Sequence, residues 1–245
     1  MKPTSNLTPN ASSLIAFGAH PDDIEFGAGA VIAQHTRAGH SAHLAVCSRG
    51  EAGTFGTPEV RVQEARAAAD ILRATIEFVE LDGDAHLEIK SAHVVRIAEV
   101  LRRIRPEIVL APSPELNQHP DHAKLGQMVR DAARLARYGG IVELKDLPPV
   151  AIRQLWFYAL SLESQPHNIS PILLDVSRRE IIADWTASME AHQSQTTARA
   201  YVELQLTRAR LNGARAGVEY AIPLFPNDPP VIDSLTAVSK IANSF

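Results

Sequence analysis

Leu14-Ile-Ala-Phe-Gly18, followed at once by Ala19-His-Pro-Asp-Asp-Ile-Glu25, is the stretch on which the fold turns. A short apolar run bounded by glycine reads as a buried strand. The polar residues behind it read as the loop at that strand's carboxyl end. Residues 27–37 open with small side chains and read as a helix, and the apolar run 42–48 reads as a second strand. Strand, loop, helix and strand in that order form one unit of a parallel sheet with a crossover helix.

The pattern continues along the chain. Thr57-Pro58-Glu59 combines a cap residue, a proline suited to the first helical position and an acid in the first turn, which predicts a helix to about residue 73. A strand follows over 76–81. Ser91 can cap a helix that places Val94, Ala98, Leu101 and Ile104 on one face, and Pro106 ends it. Residues 107–111 form the next strand, and Leu125, Met128, Val129 and Ala132 mark another amphipathic helix. Strands over 153–160 and 172–176 and helices over 178–192 and 197–211 complete the reading. The expectation is a single doubly wound, Rossmann-like α/β domain over 14–245, with a mostly parallel sheet and helices on both faces. Residues 1–13, polar and containing two prolines, read as a flexible N-terminal tail.

Composition narrows the function classes. Of 245 residues, 45% are hydrophobic and 21% charged, which suits a globular domain with a substantial core. The net charge of -4 supplies no basic field for nucleic acid. The first thirteen residues lack a signal-peptide core, and no run is long enough to cross a bilayer. A cytoplasmic protein without a nucleic-acid or membrane partner is expected. Cys47 is the single cysteine, so no intrachain disulfide can form, and its apolar neighbours read as a strand.

In open α/β sheets, ligands bind beyond the carboxyl ends of the strands. Two polar clusters fall there: the segment after the first strand, and Asn117-Gln-His-Pro-Asp-His122 after the strand at 107–111. Imidazole and carboxylate suit zinc, and catalytic sites use three protein ligands so that one position stays open. His20 and Asp23, three apart, can both aim inward while Asp22 stays free. Pro120 suits a first helical position and brings Asp121 and His122 into the first turn, where His122 can supply the third ligand. Taken singly, either motif also reads as an ordinary helix entry, with Asp23 offsetting the helix dipole. Two of them at two strand ends of one sheet favour a metal site. Two histidines and a carboxylate also make the iron-oxygenase triad, but a separate Asp22 supplies the general base that hydrolysis needs. A non-catalytic binding module is a third reading, and a dinucleotide site is weaker because no G-x-G-x-x-G follows the first strand.

These residues resemble the LmbE-like, or PIG-L, family of zinc-dependent N-acetylglucosaminyl deacetylases. Ala19 to Glu25 is similar to the first family signature and His119-Pro-Asp-His122 to the second. Three further stretches resemble the bacillithiol-biosynthesis branch: Ser48-Arg-Gly-Glu-Ala-Gly-Thr-Phe-Gly-Thr-Pro-Glu-Val-Arg61, Leu81-Asp-Gly-Asp84 with Leu87, and Gly217-Val-Glu-Tyr-Ala221. The resemblance implies His20, Asp23 and His122 as metal ligands, Asp22 as general base, and His119 as an acid or electrostatic helper oriented by Asp121. It also implies sugar contacts at Arg61 and Asp84 and oxyanion stabilisation by Tyr201. Zinc, with iron(II) as the alternative, would be the cofactor, and an amino sugar such as N-acetylglucosaminyl malate the substrate. A homo-oligomer is implied, with a hexamer as one candidate. Two positions depart from the family pattern: Ala30 replaces a common glycine, and Gln118 stands where some members carry arginine. Plainer readings stand beside the last three assignments. Arg61 could pair with Glu59 or Glu64, Asp84 could serve a turn, and Tyr201 could pack in the core. His35, His40, His43, His86, His93, His167 and His192 read as packing or surface residues.

Overall fold

The computed structural model describes residues 12–116, 118–197 and 200–242. Seven strands form one sheet: β1 (Ser13–Gly18), β2 (Ser41–Val46), β3 (Thr75–Phe78), β4 (Ile108–Pro112), β5 (Gln154–Tyr158), β6 (Ile172–Asp175) and β7 (Ala221–Pro226). Their order is β3-β2-β1-β4-β5-β7-β6, parallel from β3 to β5 and antiparallel at β7. Helices α1 (Asp23–Arg37), α2 (Pro58–Ile71), α3 (Ser91–Ile104), α4 (Pro120–Leu135), α5 (Arg179–Glu190), α6 (Gln193–Thr196) and α7 (Tyr201–Ala216) connect the strands.

Both faces of the sheet are covered, as the doubly wound reading requires. Alternation along β1 sends Ile15 and Phe17 into a core with Ile97 and Leu101 of α3 and Leu125 and Val129 of α4. Leu14 and Ala16 face the other way, against Ile24 and Ile32 of α1 and Trp185 of α5.

The sequence reading needs correction at several boundaries. Helix α1 begins at Asp23, four residues before the expected start, so the motif itself forms its first turn. Ser13 belongs to β1, Ser12 leads directly into it, and residues 1–11 of the expected tail lie outside the described residues. The helix expected over 197–211 starts later, at Tyr201, and runs on to Ala216 as α7, while the short α6 lies before the expected range. Ser91 opens α3 but does not cap it, since Lys90 holds the cap position without a side-chain hydrogen bond. Strand β7 was not anticipated. Its prolines, Pro223 and Pro226, lack the amide donor of a regular ladder and mask the strand pattern. The β5 pairing with β7 is correspondingly short, limited to Trp156 with Pro226 and Phe157 with Phe225.

The sheet order places the loops after β1 and β4 side by side, where the chain reverses its direction of winding. Gly126 sets how closely α4 meets this end of β4. A Cβ at this position would overlap the Pro112 carbonyl oxygen and approach Pro114 N to 3.0 Å, and both are backbone atoms that cannot swing aside. Gly126→Ala should therefore destabilise the fold by about 1–3 kcal/mol. Chemical denaturation checks this, and an unchanged midpoint would mean that α4 can shift freely.

Candidate metal centre and its surroundings

The site starts with a turn that Asp23 closes on itself. One carboxylate oxygen, Oδ2, accepts hydrogen bonds from the backbone N–H groups of Ala19 at 2.8 Å and His20 at 2.9 Å. The other, Oδ1, lies 3.0 Å from His122 Nε2. His20 Nδ1 is 3.1 Å from His122 Nε2 and 3.5 Å from Asp23 Oδ2. The three expected ligands thus meet, from the end of β1 and the start of α4. Their imidazole and carboxylate donors suit zinc or iron(II). His119 joins them at the rim, since His20, His119 and His122 can bring ligand atoms within 4.8 Å of one another. Local sequence explains the delivery of His122: Pro120 occupies the first helical position of α4, and His119 caps the helix by accepting from Asp121 N at 3.3 Å.

Two buried carboxylates hold the far side of the His20 ring. Nε2 lies 3.0 Å from Asp84 Oδ1 and 3.4 Å from Asp121 Oδ2. Asp84 is itself fixed, accepting from Ala52 N at 3.2 Å, while Asp121 accepts from Ala85 N at 2.8 Å. Asp84 was expected to meet the sugar and Asp121 to orient His119, but both side chains are buried and aimed at His20. A carboxylate on one ring nitrogen fixes the tautomer and frees the other nitrogen for a metal.

Asp22 lies outside this cluster. It precedes α1 with φ 120°, a left-handed conformation costly for a non-glycine residue, and its side chain caps nothing. Burial, and then the neighbouring Asp23 charge, push its carboxyl up to about 6. Asp23 is held well below the usual carboxylate range: burial works to raise it, but His122 and His20 outweigh that effect. Arg61 Nη2 reaches Asp22 Oδ2 at 3.5 Å. The same guanidinium donates to Pro21 O at 2.9 Å and Gly50 O at 3.1 Å, and Arg61 is only 4% exposed. Neither of the expected partners, Glu59 nor Glu64, holds it.

His119 is exposed at the rim, and burial of its ring together with the His20 and His122 imidazoles holds it below its ordinary value. Tyr201, the first residue of α7, packs edge-on against Phe26 with ring centroids 5.8 Å apart. Gln118 turns its amide inward, donating to the carbonyls of Ser113 and Glu115. Ala30 is fully buried within α1, and Asn117 lies outside the described residues.

Sequence reading missed the buried neighbours behind Asp22. His192, read as packing, is completely buried and lies 3.4 Å from Glu25 Oε2, also buried. The usable signal was Glu25 itself, an acid amid apolar and small residues three positions after Asp22.

Comparison with known proteins places the chain among relatives. Residues 15–133 match the family model described as PIG-L: GlcNAc-PI de-N-acetylase. The chain is 33% identical over 158 residues to the 4-oxalmesaconate hydratase of Pseudomonas putida, covering 58% of this chain and 60% of that protein. It is 31% identical over 127 residues to the uncharacterized deacetylase YaiS of Escherichia coli, covering 49% of this chain and 68% of that one. The solved structure of the conserved protein TT1542 from Thermus thermophilus superposes with a TM-score of 0.78 at 30% identity, covering 91% of this chain and 97% of its own.

Asp84→Ala should loosen the His20 ring and weaken divalent-metal affinity by roughly 10- to 100-fold. Competition with a chromogenic chelator measures it, and wild-type affinity would show that Asp84 does not orient the ligand.

Proposed function

Because the chain belongs to the PIG-L family, we propose that it is a metal-dependent hydrolase that removes the acetyl group from an N-acetylglucosamine conjugate. The observation that carries this reading is the meeting of His20, Asp23 and His122 beside a fourth, unligated carboxyl, Asp22, raised to about 6. A divalent cation, zinc or iron(II), held by the three ligands would supply Lewis acidity and lower the pKa of water. Asp22 then accepts the proton from the attacking water. Its raised proton affinity suits a base that must ionise near neutrality and also pass the proton on. His119, at the open rim, delivers a proton to the departing amine or stabilises charge on the carbonyl oxygen, with Tyr201 as a second donor to that oxygen. Acetate and a free amino sugar result.

Arg61 and Asp84 serve this reading from beneath the site. Arg61 holds the Pro21 carbonyl and the Asp22 carboxylate, and Asp84 holds His20, so the sugar meets groups nearer the rim. The bacillithiol-branch resemblance makes N-acetylglucosaminyl malate the first substrate to examine, with a homo-oligomer as the working assembly. None of the described helices is long and apolar enough to cross a membrane.

The hydratase relative favours a second reading, addition of water to an unsaturated acid, since that chemistry also needs an activated water and a base. The two readings separate on product. Acetate release should be screened on N-acetylglucosaminyl malate, N-acetylglucosaminyl inositol, N-acetylglucosamine and chitooligosaccharides, with loss of ultraviolet absorbance followed on unsaturated dicarboxylates. Acetate from none of the four sugars, with turnover of the unsaturated acid, would replace the first reading by the second.

Asp22→Ala should keep its metal and lose about 10²- to 10⁴-fold in kcat. His122→Ala should lose the metal itself. Elemental analysis beside kinetics distinguishes them, and full activity in Asp22→Ala would remove the assigned base.

A further inference from the structure

Glu25 and His192 form a buried pair that the proposed chemistry does not use. Their exposures are 2% and 0%, and Glu25 Oε2 lies 3.4 Å from His192 Nε2. Among the described residues neither imidazole nitrogen has a well-aligned hydrogen-bond partner, and Glu25 is the neighbouring charge that acts on the ring most strongly. Burial alone would lower the His192 pKa, but Glu25, followed by Asp22 and Glu64, holds it above its ordinary value. A buried ion pair is weak as a source of stability, because apolar side chains of similar volume usually serve as well or better.

The position of the pair suggests another use. Asp22 is the residue that enters α1 and Glu25 lies three positions on, in its first turn, and both carboxyls act on the His192 ring. Asp22 sits at φ 120° without a capping bond of its own, and such strain persists only where the surroundings over-determine it. Arg61 supports Asp22 at 3.5 Å through Nη2. Glu25 is anchored by its backbone, whose carbonyl accepts from Trp185 Nε1 at 2.8 Å. His192 is anchored by the chain around it: its own N–H donates to Met189 O at 3.2 Å, and Ser194, two residues on, is bound by Glu64 of α2 at 2.8 Å and 2.6 Å.

We propose that the Glu25–His192 pair is a positioning device that fixes the first turn of α1 and thereby the placement of the Asp22 carboxylate. The inference rests on Asp22 being the base. Asp23 is held independently by Ala19 N and His20 N, so the metal ligands stay in place when the pair is removed. The signature is therefore lost turnover with metal retained.

The test compares Glu25→Leu, His192→Leu, the double variant and the isosteric Glu25→Gln with wild type, measuring thermal midpoint, metal content, kcat and KM. Each leucine single leaves one buried charge uncompensated and should lower the midpoint, whereas the double variant should recover most of it. In the double variant kcat should stay depressed on the order of 10- to 100-fold, the scale of a catalytic group misplaced by about 1 Å, with KM within about twofold and one metal equivalent retained. Recovery of both midpoint and kcat would reduce the pair to core filling and overturn the proposal. Should the leucine variants fail to fold, Glu25→Gln decides: a depressed kcat at constant KM and metal content supports positioning, and wild-type kcat overturns it. Wild-type protein that turns over neither an N-acetyl sugar nor an unsaturated dicarboxylate removes Asp22 as a base and this inference with it.

Discussion

The carboxylate of Asp23 is the constraint on which the rest of the site depends. The parallel sheet ends β1 with backbone donors that have no next strand residue to bond, and Asp23 Oδ2 satisfies two of them at Ala19 and His20. That fold-back closes the chain so tightly that a Cβ at Gly18 would lie 2.9 Å from Ile24 Cγ1. It also forces Asp22 into its left-handed conformation, a cost of about 1–3 kcal/mol that the surrounding contacts must offset. One side chain thus shapes the turn with one oxygen and meets His122 with the other.

Sheet order turns this local device into a site. Because β1 lies between β2 and β4, the turn after β1 faces the start of α4 directly, and three histidines from two distant stretches share one crevice. The loop after β3 contributes what neither motif holds, Asp84 against His20 Nε2. With Nε2 facing carboxylates and Nδ1 facing Asp23 and His122, the ring has one orientation that satisfies both sides.

Much of this was legible because the relevant signals are local. Apolar runs bounded by glycine and proline mark β1 to β6, and the spacing of His20, Asp23 and His122 suffices once the two loops are known to be neighbours. What could not be read depends on tertiary packing. The helical character of Asp23 to Phe26 is hidden by a proline and two aspartates that resemble a loop, and Pro223 and Pro226 hide β7. The partners of Asp84, Asp121 and Arg61 are set by which backbone and side-chain groups the fold buries beside them, over sequence separations from 11 to 101 residues. No periodicity encodes such contacts. His192 is the sharpest case: nothing near it in sequence distinguishes it from His35 or His167, and only the packing of α5 on α1, with α6 against α2, brings it to Glu25.

Four aspartates occupy the site, and their surroundings divide the work among them. Asp23, Asp84 and Asp121 are each held below the usual carboxylate range, because histidine and backbone donors overcome the effect of burial. Such groups stay ionised and serve as fixed negative charge, suited to ligating a cation or orienting a ligand and poor at carrying a proton. Asp22 receives burial and the like charge of Asp23, and the more distant His192, Arg61 and His20 charges only partly compensate. Its proton affinity moves the opposite way, to about 6. When neighbouring carboxyls are driven apart in this manner, the one raised toward neutrality is the candidate for exchanging a proton, which is the role proposed for Asp22. The distinction between adjacent residues Asp22 and Asp23, identical in chemistry, is therefore made by backbone geometry: the fold-back that gives Asp23 its donors is what turns Asp22 away from them.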